Sequence, residues 1–179
     1  MTIDYYQQNA DEFFQGTIDV DMTNIYQQFT KHLPTNALIL DAGCGSGRDS
    51  KAFINMGFKT EAFDASSLLV NKAKSVTGIN VKLATFNTFK TDSLFEGIWA
   101  CASLLHVPIK ELPSTIKHLA KYLLPNGYWY MSFKYGDSER EVNGRLFTDM
   151  NEEIFVQLIE PLSIFNIEEM WVSKDKRIN

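Results

Sequence analysis

The segment from residue 38 to residue 49 places an acid and three glycines where a ligand could be bound. Asp41 follows the apolar run Leu38–Leu40, and Gly43, Gly45 and Gly47 occupy alternate positions after it. Glycine has no Cβ and accepts a positive φ, so this order predicts a buried strand, a tight turn and a helix start. The unpaired amides at that helix start would face a ligand approaching the turn.

Two common nucleotide-binding motifs do not fit this turn. A dinucleotide fingerprint requires a third glycine where this chain has Arg48, and a P-loop requires Gly-Lys-Ser/Thr at the helix start. The pattern instead resembles motif I of class I S-adenosylmethionine (SAM)-dependent methyltransferases, in which an acid precedes Gly-x-Gly-x-Gly. A nicotinamide dehydrogenase is the alternative that fits the α/β pattern but not the glycine spacing.

A second acid follows the next expected strand. Asp64 lies 23 residues after Asp41, near the offset of roughly 20 residues at which a carboxylate reaches a nucleoside ribose in such folds. An acid at this position could instead cap a helix or stabilise a turn, but the offset favours a role in binding the ribose. Asp41 is expected to orient the glycine turn and to face the ammonium of the methionine moiety, with turn acceptor as its alternative role.

Three further positions are expected at the same end of the sheet. Thr85 and Phe86 follow the third strand, where adenine would be contacted, although Phe86 could equally belong to the core. His106 is expected at the end of the fourth strand, where it could accept a proton or bind an oxyanion. Arg145 offers a planar fork suited to an oxyanion. The alternative for His106 is a structural histidine with its hydrogen bonds satisfied, and the alternative for Arg145 is simple solvation.

Strand-like and helix-like segments alternate around these residues, which predicts a doubly wound, mostly parallel, Rossmann-like α/β sheet. Strands are expected at 38–40, 58–63, 79–83, 97–105, 128–133 and 165–172. Helices are expected at 6–16, 21–33, 48–56, 66–78, 113–123 and 151–162. Residues 125–127 are expected to form a turn, and residues 134–149 a long polar loop.

Four segments together give a narrower resemblance. Residues 41–50, 99–107, 132–136 and 144–147 are similar to the tellurite-resistance TehB-like branch of class I methyltransferases. The resemblance implies a seven-stranded SAM-binding fold and methyl transfer to a small acceptor, such as a tellurite- or selenite-type oxyanion or a thiol. That fold ends with an antiparallel strand, for which this sequence has no apolar run. The sheet is therefore expected to be one strand short, or residues 165–172 take that place.

The resemblance also implies a set of site residues. The expected cofactor-binding residues are Tyr6, Asp41, Gly43, Cys44, Gly45, Gly47, Asp64, Ala65, Thr85, Phe86 and Ser103. The expected catalytic residues are His106 and Arg145, and no metal is expected. Residues 1–34 are expected to form helices that cover the cofactor as a lid, with simple packing on the sheet as the alternative.

Length and composition limit the remaining function classes. A chain of 179 residues is expected to form a single domain, residues 1–179. A net charge of −5 without a Lys/Arg cluster disfavours nucleic acid as a partner. No apolar run is long enough for a membrane span, and two cysteines without a secretory signal predict a reduced, cytoplasmic protein. A SAM-binding protein without turnover is the alternative to an enzyme.

Overall fold

In the computed structural model, which describes residues 2–175, a parallel sheet separates two layers of helices. The strands are β1 (Leu38–Ala42), β2 (Lys59–Asp64), β3 (Val81–Leu83), β4 (Phe95–Ala100), β5 (Leu123–Met131), β6 (Glu139–Val142) and β7 (Arg145–Thr148). The α-helices are α1 (Thr2–Gln8), α2 (Ala10–Thr17), α3 (Thr23–Thr30), α4 (Arg48–Asn55), α5 (Ser67–Thr77), α6 (Leu112–Ala120) and α7 (Glu152–Ile159). Short 3₁₀ turns span Leu104–His106 and Glu160–Leu162.

The central sheet has the order β3-β2-β1-β4-β5, and all its strands are parallel. Successive strands run outward from β1 to β3, and the chain then crosses back to place β4 on the other side of β1. The strand order reverses between β1 and β4, so a crevice opens at their carboxyl ends, where α/β sheets bind ligands. The doubly wound prediction is confirmed.

The two faces of the sheet bury different residues because neighbouring side chains on a strand point in opposite directions. Leu40 and Ile98 face the layer that contains α6 and α7. Ile39 and Trp99 face the aromatic layer that contains α3 and α4. Trp99 is fully buried. This packing holds β1 in place, and with it the glycine turn at the carboxyl end of β1.

The N-terminal helix is broken where one continuous helix was predicted. Asn9 separates α1 from α2 with φ −111° and ψ 23°. Its side-chain Nδ2 donates to the Tyr5 carbonyl over 2.8 Å, and its backbone N–H donates to the same carbonyl over 2.9 Å, so side chain and backbone share one acceptor at the break. Helix α1 therefore ends at Gln8, and α2 begins at Ala10.

The fourth strand is shorter than predicted, and His106 does not lie at its end. β4 stops at Ala100, and Ala102 adopts a positive φ of 49°. The Ala102 N–H donates to Ser132 Oγ over 2.8 Å, outside the strand ladder. His106 therefore lies in the 3₁₀ turn that follows.

The predicted polar loop 134–149 contains a hairpin. β6 and β7 pair antiparallel, with Val142 opposite Arg145. Asn143 and Gly144 form the connection, with φ values of 52° and 73°. Positive φ at both central residues is typical of the tight turn that matches the twist of a hairpin. The Asn-Gly pair in the sequence carried this signal, and the loop prediction was wrong.

The far edge of the sheet differs from the prediction in its last segment. Residues 125–127 fall within the bounds of β5, but they bulge out of the ladder close to the predicted turn: pairing with β4 passes from Phe95–Leu123 directly to Gly97–Tyr128, and Asn126 takes a φ of 63°. Residues 165–172 form no strand. The central sheet therefore has five strands among residues 2–175, one fewer than the six predicted from the sequence. A strand requires a neighbouring backbone to pair with, and no backbone within residues 2–175 pairs with this segment.

Within residues 2–175, none of the helices combines the length and apolar character needed to span a bilayer. The same residues contain no group of three or more His, Cys, Asp or Glu side chains arranged to hold a metal ion.

Candidate cofactor site

The glycine turn follows β1 directly and is tied to the end of β2. The N–H groups of Gly43 and Cys44 both donate to the Phe63 carbonyl over 3.0 Å. Gly43, Gly45 and Gly47 have φ values of 79°, 53° and 80°, a region that side chains with a Cβ rarely adopt. The turn is therefore a fixed backbone loop at the mouth of the crevice.

The three glycines leave room for different neighbours. A Cβ on Gly43 would lie 2.7 Å from Ser103 Cβ, and one on Gly45 would lie 2.9 Å from the Phe13 ring. A Cβ on Gly47 would lie 2.9 Å from the backbone of Ala73 in α5. Gly43 and Gly45 line the cleft, whereas Gly47 does not. Gly47 serves the close packing of α4 against α5.

Asp64 connects the second strand to the glycine turn. Its Oδ2 accepts the Gly45 N–H over 2.9 Å, and its Oδ1 accepts the Ser66 N–H over 2.8 Å. Burial raises the pKa of Asp64, while the N–H groups of Ser66, Gly45 and Ala65 oppose that rise. A carboxylate has about four acceptor positions, so Asp64 retains capacity toward the cleft that it lines with Ala65.

Asp41 lies behind the turn instead of in the cleft. It is 2% exposed, and its Oδ2 accepts the Ser50 hydroxyl over 2.6 Å. It does not line the cleft. Burial, followed by the charge of Asp49, raises the pKa of Asp41 to about 8. The structure therefore brings Asp41 against the start of α4, where it supports the turn.

Two residues expected to bind the cofactor, Ser103 and Phe86, come together around Gly43. Ser103 Oγ donates to the Ala42 carbonyl over 2.7 Å, and the Phe86 ring would lie 3.4 Å from a Cβ on Gly43. Phe86 also meets Phe63 edge to face, with ring centroids 5.7 Å apart. Thr85 lines the same cleft. These side chains form a partly apolar wall beside the turn.

Cys44 is a buried thiol within the turn. It is 8% exposed. Burial, with the charges of Asp41 and Asp64, raises its pKa well above the usual value. A thiol held protonated in this way is a poor nucleophile, so Cys44 contributes backbone and packing to the site.

The N-terminal helices lie over this turn. Phe13 of α2 covers Gly45, and its ring meets that of Tyr6 edge to face at 5.0 Å between centroids. Gln7 reaches across to the start of α5, where its Oε1 accepts the Ser66 hydroxyl over 2.8 Å. Phe13 and Tyr6 both line the cleft. The helices α1 and α2 therefore border the site from above.

His106 lies between α1 and the hairpin. Its Nδ1 is 2.6 Å from the Leu146 carbonyl, and its Nε2 is 2.8 Å from the Tyr6 hydroxyl. A carbonyl only accepts, so Nδ1 carries the proton that it donates to Leu146. In the neutral ring, Nε2 then accepts the Tyr6 O–H. These two hydrogen bonds fix both the orientation and the tautomer of His106.

Arg145 opens β7 and stacks on aromatic rings at the cleft. Its guanidinium carbon lies 4.1 Å from the Tyr5 ring centroid and 5.2 Å from that of Phe147. Its Nε is buried and has no hydrogen-bond partner within residues 2–175. The ion pairs among these residues do not include Arg145, whereas the nearby Arg140 is paired with Asp149.

A buried polar cluster near the glycine turn was not predicted. Asp49 accepts hydrogen bonds from the Tyr26 hydroxyl over 2.5 Å, from Arg48 Nε over 2.6 Å and from Trp99 Nε1 over 2.8 Å. These groups join α3, the start of α4 and β4, and Arg48 and Asp49 line the cleft. The sequence offered only an Arg-Asp pair after the last glycine, because the Tyr and Trp partners come from distant segments.

The fold and the site together define a Rossmann-like domain of the kind that binds a nucleoside-containing ligand. Its features are the reversal of strand order, the glycine turn at the carboxyl end of β1 and the acid at the end of β2. The family whose sequence profile matches residues 14–170 is described as a methyltransferase domain. The match covers most of the chain, which therefore belongs to this methyltransferase-domain family. No curated protein matches the sequence significantly.

Solved structures of methyltransferases share the fold. The 1,6-didemethyltoxoflavin-N1-methyltransferase of Burkholderia thailandensis, with bound 1,6-didemethyltoxoflavin and S-adenosylhomocysteine, superposes with a TM-score of 0.70 at 19% identity, covering 89% of this chain and 73% of its own. A SAM-dependent methyltransferase of Clostridium acetobutylicum gives 0.68 at 14% identity, covering 98% and 93%. The sugar N-methyltransferase KedS8 of Streptoalloteichus gives 0.54 at 16%, covering 82% and 63%. At these identities the likeness establishes the fold.

Proposed function

We propose that this chain binds SAM at the carboxyl ends of β1 and β2 and transfers its methyl group to a small-molecule acceptor. The observation that carries this proposal is the hydrogen bond from the Gly45 N–H to the Asp64 carboxylate, which joins the glycine turn and the acid on one wall of the cleft. Methyltransferases of the same fold have been crystallised with S-adenosylhomocysteine. That supports SAM as the ligand that binds beside the glycine turn and Asp64.

The residues on this wall fit the parts of SAM. Asp64 would accept hydrogen bonds from the ribose hydroxyls with the acceptor capacity that its backbone donors leave. The backbone of Gly43, Cys44 and Gly45, with Ala65, would lie along the nucleoside and the methionine moiety. Thr85, Phe86 and Ser103 would border adenine, and Tyr6 would contribute from helix α1. Asp41 and Gly47 would act from behind, by holding the turn in shape.

Helices α1 and α2 are proposed to act as a lid. Phe13 covers Gly45, so ligand entry to this part of the turn requires that ring to move. Tyr6 is held by His106, which lies on the acceptor side. The lid therefore contacts both the cofactor wall and the acceptor wall, and its closure would exclude water from the reacting groups.

The acceptor is proposed to be a small oxyanion of the tellurite or selenite type, with a thiol as the second possibility, as the TehB-like resemblance implies. Arg145 supports this choice because its guanidinium borders the cleft without an ion-pair partner among residues 2–175. An arginine fork suits a planar or pyramidal oxyanion. SAM supplies an electrophilic methyl group on a sulfonium centre.

The chain's own contribution to the reaction would be orientation. Arg145 would hold the acceptor with a lone pair directed at the methyl group, and orientation of this kind contributes up to about 7–11 kcal/mol in favourable cases. An oxyanion acceptor needs no deprotonation, whereas a thiol must lose its proton. His106 Nε2 could take that proton once the Tyr6 hydroxyl moves away, because its tautomer is already set by Leu146.

Two measurements test this proposal in sequence. Isothermal titration should show SAM and S-adenosylhomocysteine binding at one site per chain, and NADH should not bind. Release of S-adenosylhomocysteine should then be followed with tellurite, selenite and thiols as acceptors. Absence of SAM binding would refute the cofactor assignment. Binding without release for any acceptor would instead favour a SAM-binding protein without turnover.

A further inference from the structure

The backbone is strained just beyond the end of β4. Ala102 follows the last residue of that strand, Ala100, by two positions and has a φ of 49°. In this left-handed region the Cβ of an L-residue comes too close to the following carbonyl oxygen. Such a conformation persists only where the surrounding structure holds it. The segment Cys101–Ser103 therefore depends on specific contacts for its shape.

The other non-glycine residues with a positive φ can stabilise it with their own side chains. Within residues 2–175 they are Asn36, Asn126, Asn143 and Ser163. Asparagine tolerates this region because its short polar side chain can hydrogen-bond locally, and a serine hydroxyl does the same more weakly. Ala102 has no polar side chain, so a hydrogen bond that holds it must come from its backbone.

Ser132 supplies the partner for that backbone. The Ala102 N–H donates to Ser132 Oγ over 2.8 Å. Ser132 follows β5 directly, and its own N–H donates to the Ala100 carbonyl over 3.1 Å, so the pairing of β4 with β5 fixes the start of its side chain. Its hydroxyl donates in turn to Cys101 Sγ, 3.8 Å away. One side chain therefore contacts two successive residues of the segment.

The other end of the segment lies against the glycine turn. Ser103 Oγ donates to the Ala42 carbonyl over 2.7 Å, and a Cβ on Gly43 would lie 2.7 Å from Ser103 Cβ. The segment thus joins the ends of the two strands on either side of β4. All three of its residues line the cleft, as does Ser132.

The segment also leads to the acceptor side of the cleft. The Ser103 carbonyl accepts the His106 N–H over 3.1 Å, within the 3₁₀ turn that follows. The backbone angles of Ala102 set the direction in which the chain leaves the sheet toward this turn. A change at Ala102 would therefore move both Ser103, beside the glycine turn, and His106.

We propose that Ser132 is a positioning residue for the SAM site, because it holds Ala102 in the left-handed conformation that places Ser103 against Gly43. This inference rests on the proposed function and extends it to a residue that acts through the backbone of another strand end. The sequence carries no local signal for this role, since 30 positions separate the two hydrogen-bonded residues.

Isothermal titration with SAM provides the first test. Ser132→Ala removes the acceptor of the Ala102 N–H and keeps the N–H that donates to Ala100, so the sheet is retained. SAM affinity should fall by about three- to tenfold, the loss expected for one hydrogen bond. Ser132→Thr keeps a hydroxyl and should recover most of the affinity. Ser114→Ala removes another serine hydroxyl that bonds to the backbone, outside the cleft, and should bind SAM like wild type.

A double-mutant cycle with Ala102→Gly separates positioning from simple packing. Glycine accepts a positive φ without the penalty of a Cβ, so the segment should then depend less on Ser132. Ser132→Ala should therefore cost less SAM affinity in the Ala102→Gly background than in the wild-type background. If Ser132 acted by packing alone, the loss would be the same in both backgrounds.

Hydrogen exchange of residues 101–106 examines the segment without SAM. Exchange should be faster in Ser132→Ala than in wild type or Ser132→Thr. A wild-type chain that binds no SAM would refute the proposed function, and the exchange rates would still decide whether Ser132 holds the segment. Equal SAM affinities for wild type and Ser132→Ala overturn the proposal. So does an equal loss in the two backgrounds, or exchange that Ser132→Ala leaves unchanged.

Discussion

The Gly45 N–H donates to Asp64 Oδ2 over 2.9 Å, so the glycine turn and the expected ribose acid form one structural unit. The bond joins the loop after β1 to the end of β2 across the crevice. A change at either residue therefore alters both the shape of the turn and the charge that it presents to a ligand.

Asp64→Ala is expected to weaken SAM binding by about 1.5–3 kcal/mol, the range for hydrogen bonds to a charged group. The ribose would lose its acceptor, and the Gly45 N–H would lose its partner. Isothermal titration measures the change, and Asp92→Ala, an exposed acid outside the cleft, should leave affinity unchanged. Equal affinities for wild type and a folded Asp64→Ala would show that the ribose is held elsewhere.

Gly45→Ala is expected to abolish most SAM binding, and Gly57→Ala provides the comparison. Both glycines have positive φ, 53° and 89°, so either alanine should cost about 1–2 kcal/mol of folding stability. The Cβ at Gly45 would project toward the Phe13 ring, into the part of the cleft that the ligand is proposed to enter, whereas Gly57 lies outside the cleft and nothing is within 4 Å of a Cβ there. Similar affinities for the two variants would show that the turn is purely structural.

Local signals explain which elements the sequence predicted well. The strand β1 is a short apolar run before glycines, and Gly78 ends α5 in the left-handed conformation, with a φ of 74°. Ser66 caps the same helix, accepting the Leu69 N–H. In each case the residue that determines the structure lies within a few positions of it.

Elements that depend on distant partners were predicted less well. Residues 165–172 have a strand-like composition. Whether they form a strand depends on a neighbouring strand to pair with, and the sequence alone does not show where such a neighbour lies. Asp41 and Gly47 sit at the expected positions, yet only the packing of α4 and α5 shows that they lie behind the turn. The Asn-Gly hairpin was different, since its signal was local and was overlooked.

Tyr6→Phe tests the lid. The change removes the hydroxyl that His106 Nε2 meets at 2.8 Å and keeps the ring that packs on Phe13. The loss of one hydrogen bond, about 0.5–1.5 kcal/mol, should accelerate hydrogen exchange in α1 and α2 and weaken SAM binding several-fold. Tyr5→Phe keeps the ring that stacks on Arg145 and should change neither measurement. A Tyr6→Phe variant indistinguishable from Tyr5→Phe would argue against the lid.

Arg145→Ala is expected to lower kcat/KM for an oxyanion acceptor by about tenfold or more, since it removes hydrogen bonds to a charged group. SAM affinity should stay nearly constant, because Arg145 is proposed to bind the acceptor and is not among the proposed cofactor-binding residues. Arg145→Lys should restore only part of the activity, as an ammonium lacks the bidentate fork. Lys59→Ala, an exposed cation outside the cleft, is the control. Full activity of Arg145→Ala on an identified acceptor would overturn the assignment.

His106→Ala should separate the two acceptor classes. Turnover of a thiol should fall strongly, because deprotonation would lose its base, and turnover of an oxyanion should fall less. Steady-state rates of S-adenosylhomocysteine release for both classes provide the measurement. Unaltered rates with both acceptors would remove His106 from the reaction and leave it a structural link between Tyr6 and Leu146.

Asp41 should make the folded state less stable as the pH rises. Its pKa increases from an ordinary 3.8 to about 8 on folding, so between these values the folded chain binds more protons than the unfolded chain. The contribution of this group to the free energy of unfolding is then greatest at and below pH 3.8. It declines toward pH 8, at no more than about 1.4 kcal/mol per pH unit.

Asp41→Asn removes the titration while keeping an oxygen that can accept the Ser50 hydroxyl. Urea unfolding at several pH values between 5 and 8 should therefore give a shallower pH dependence for Asp41→Asn than for wild type, with the variant gaining most at the highest pH. Asp92→Asn, an exposed acid, should follow the wild-type curve. Parallel curves for wild type and Asp41→Asn would mean that Asp41 is ionised in the folded chain throughout this range, with its charge stabilised by Ser50 and Arg48.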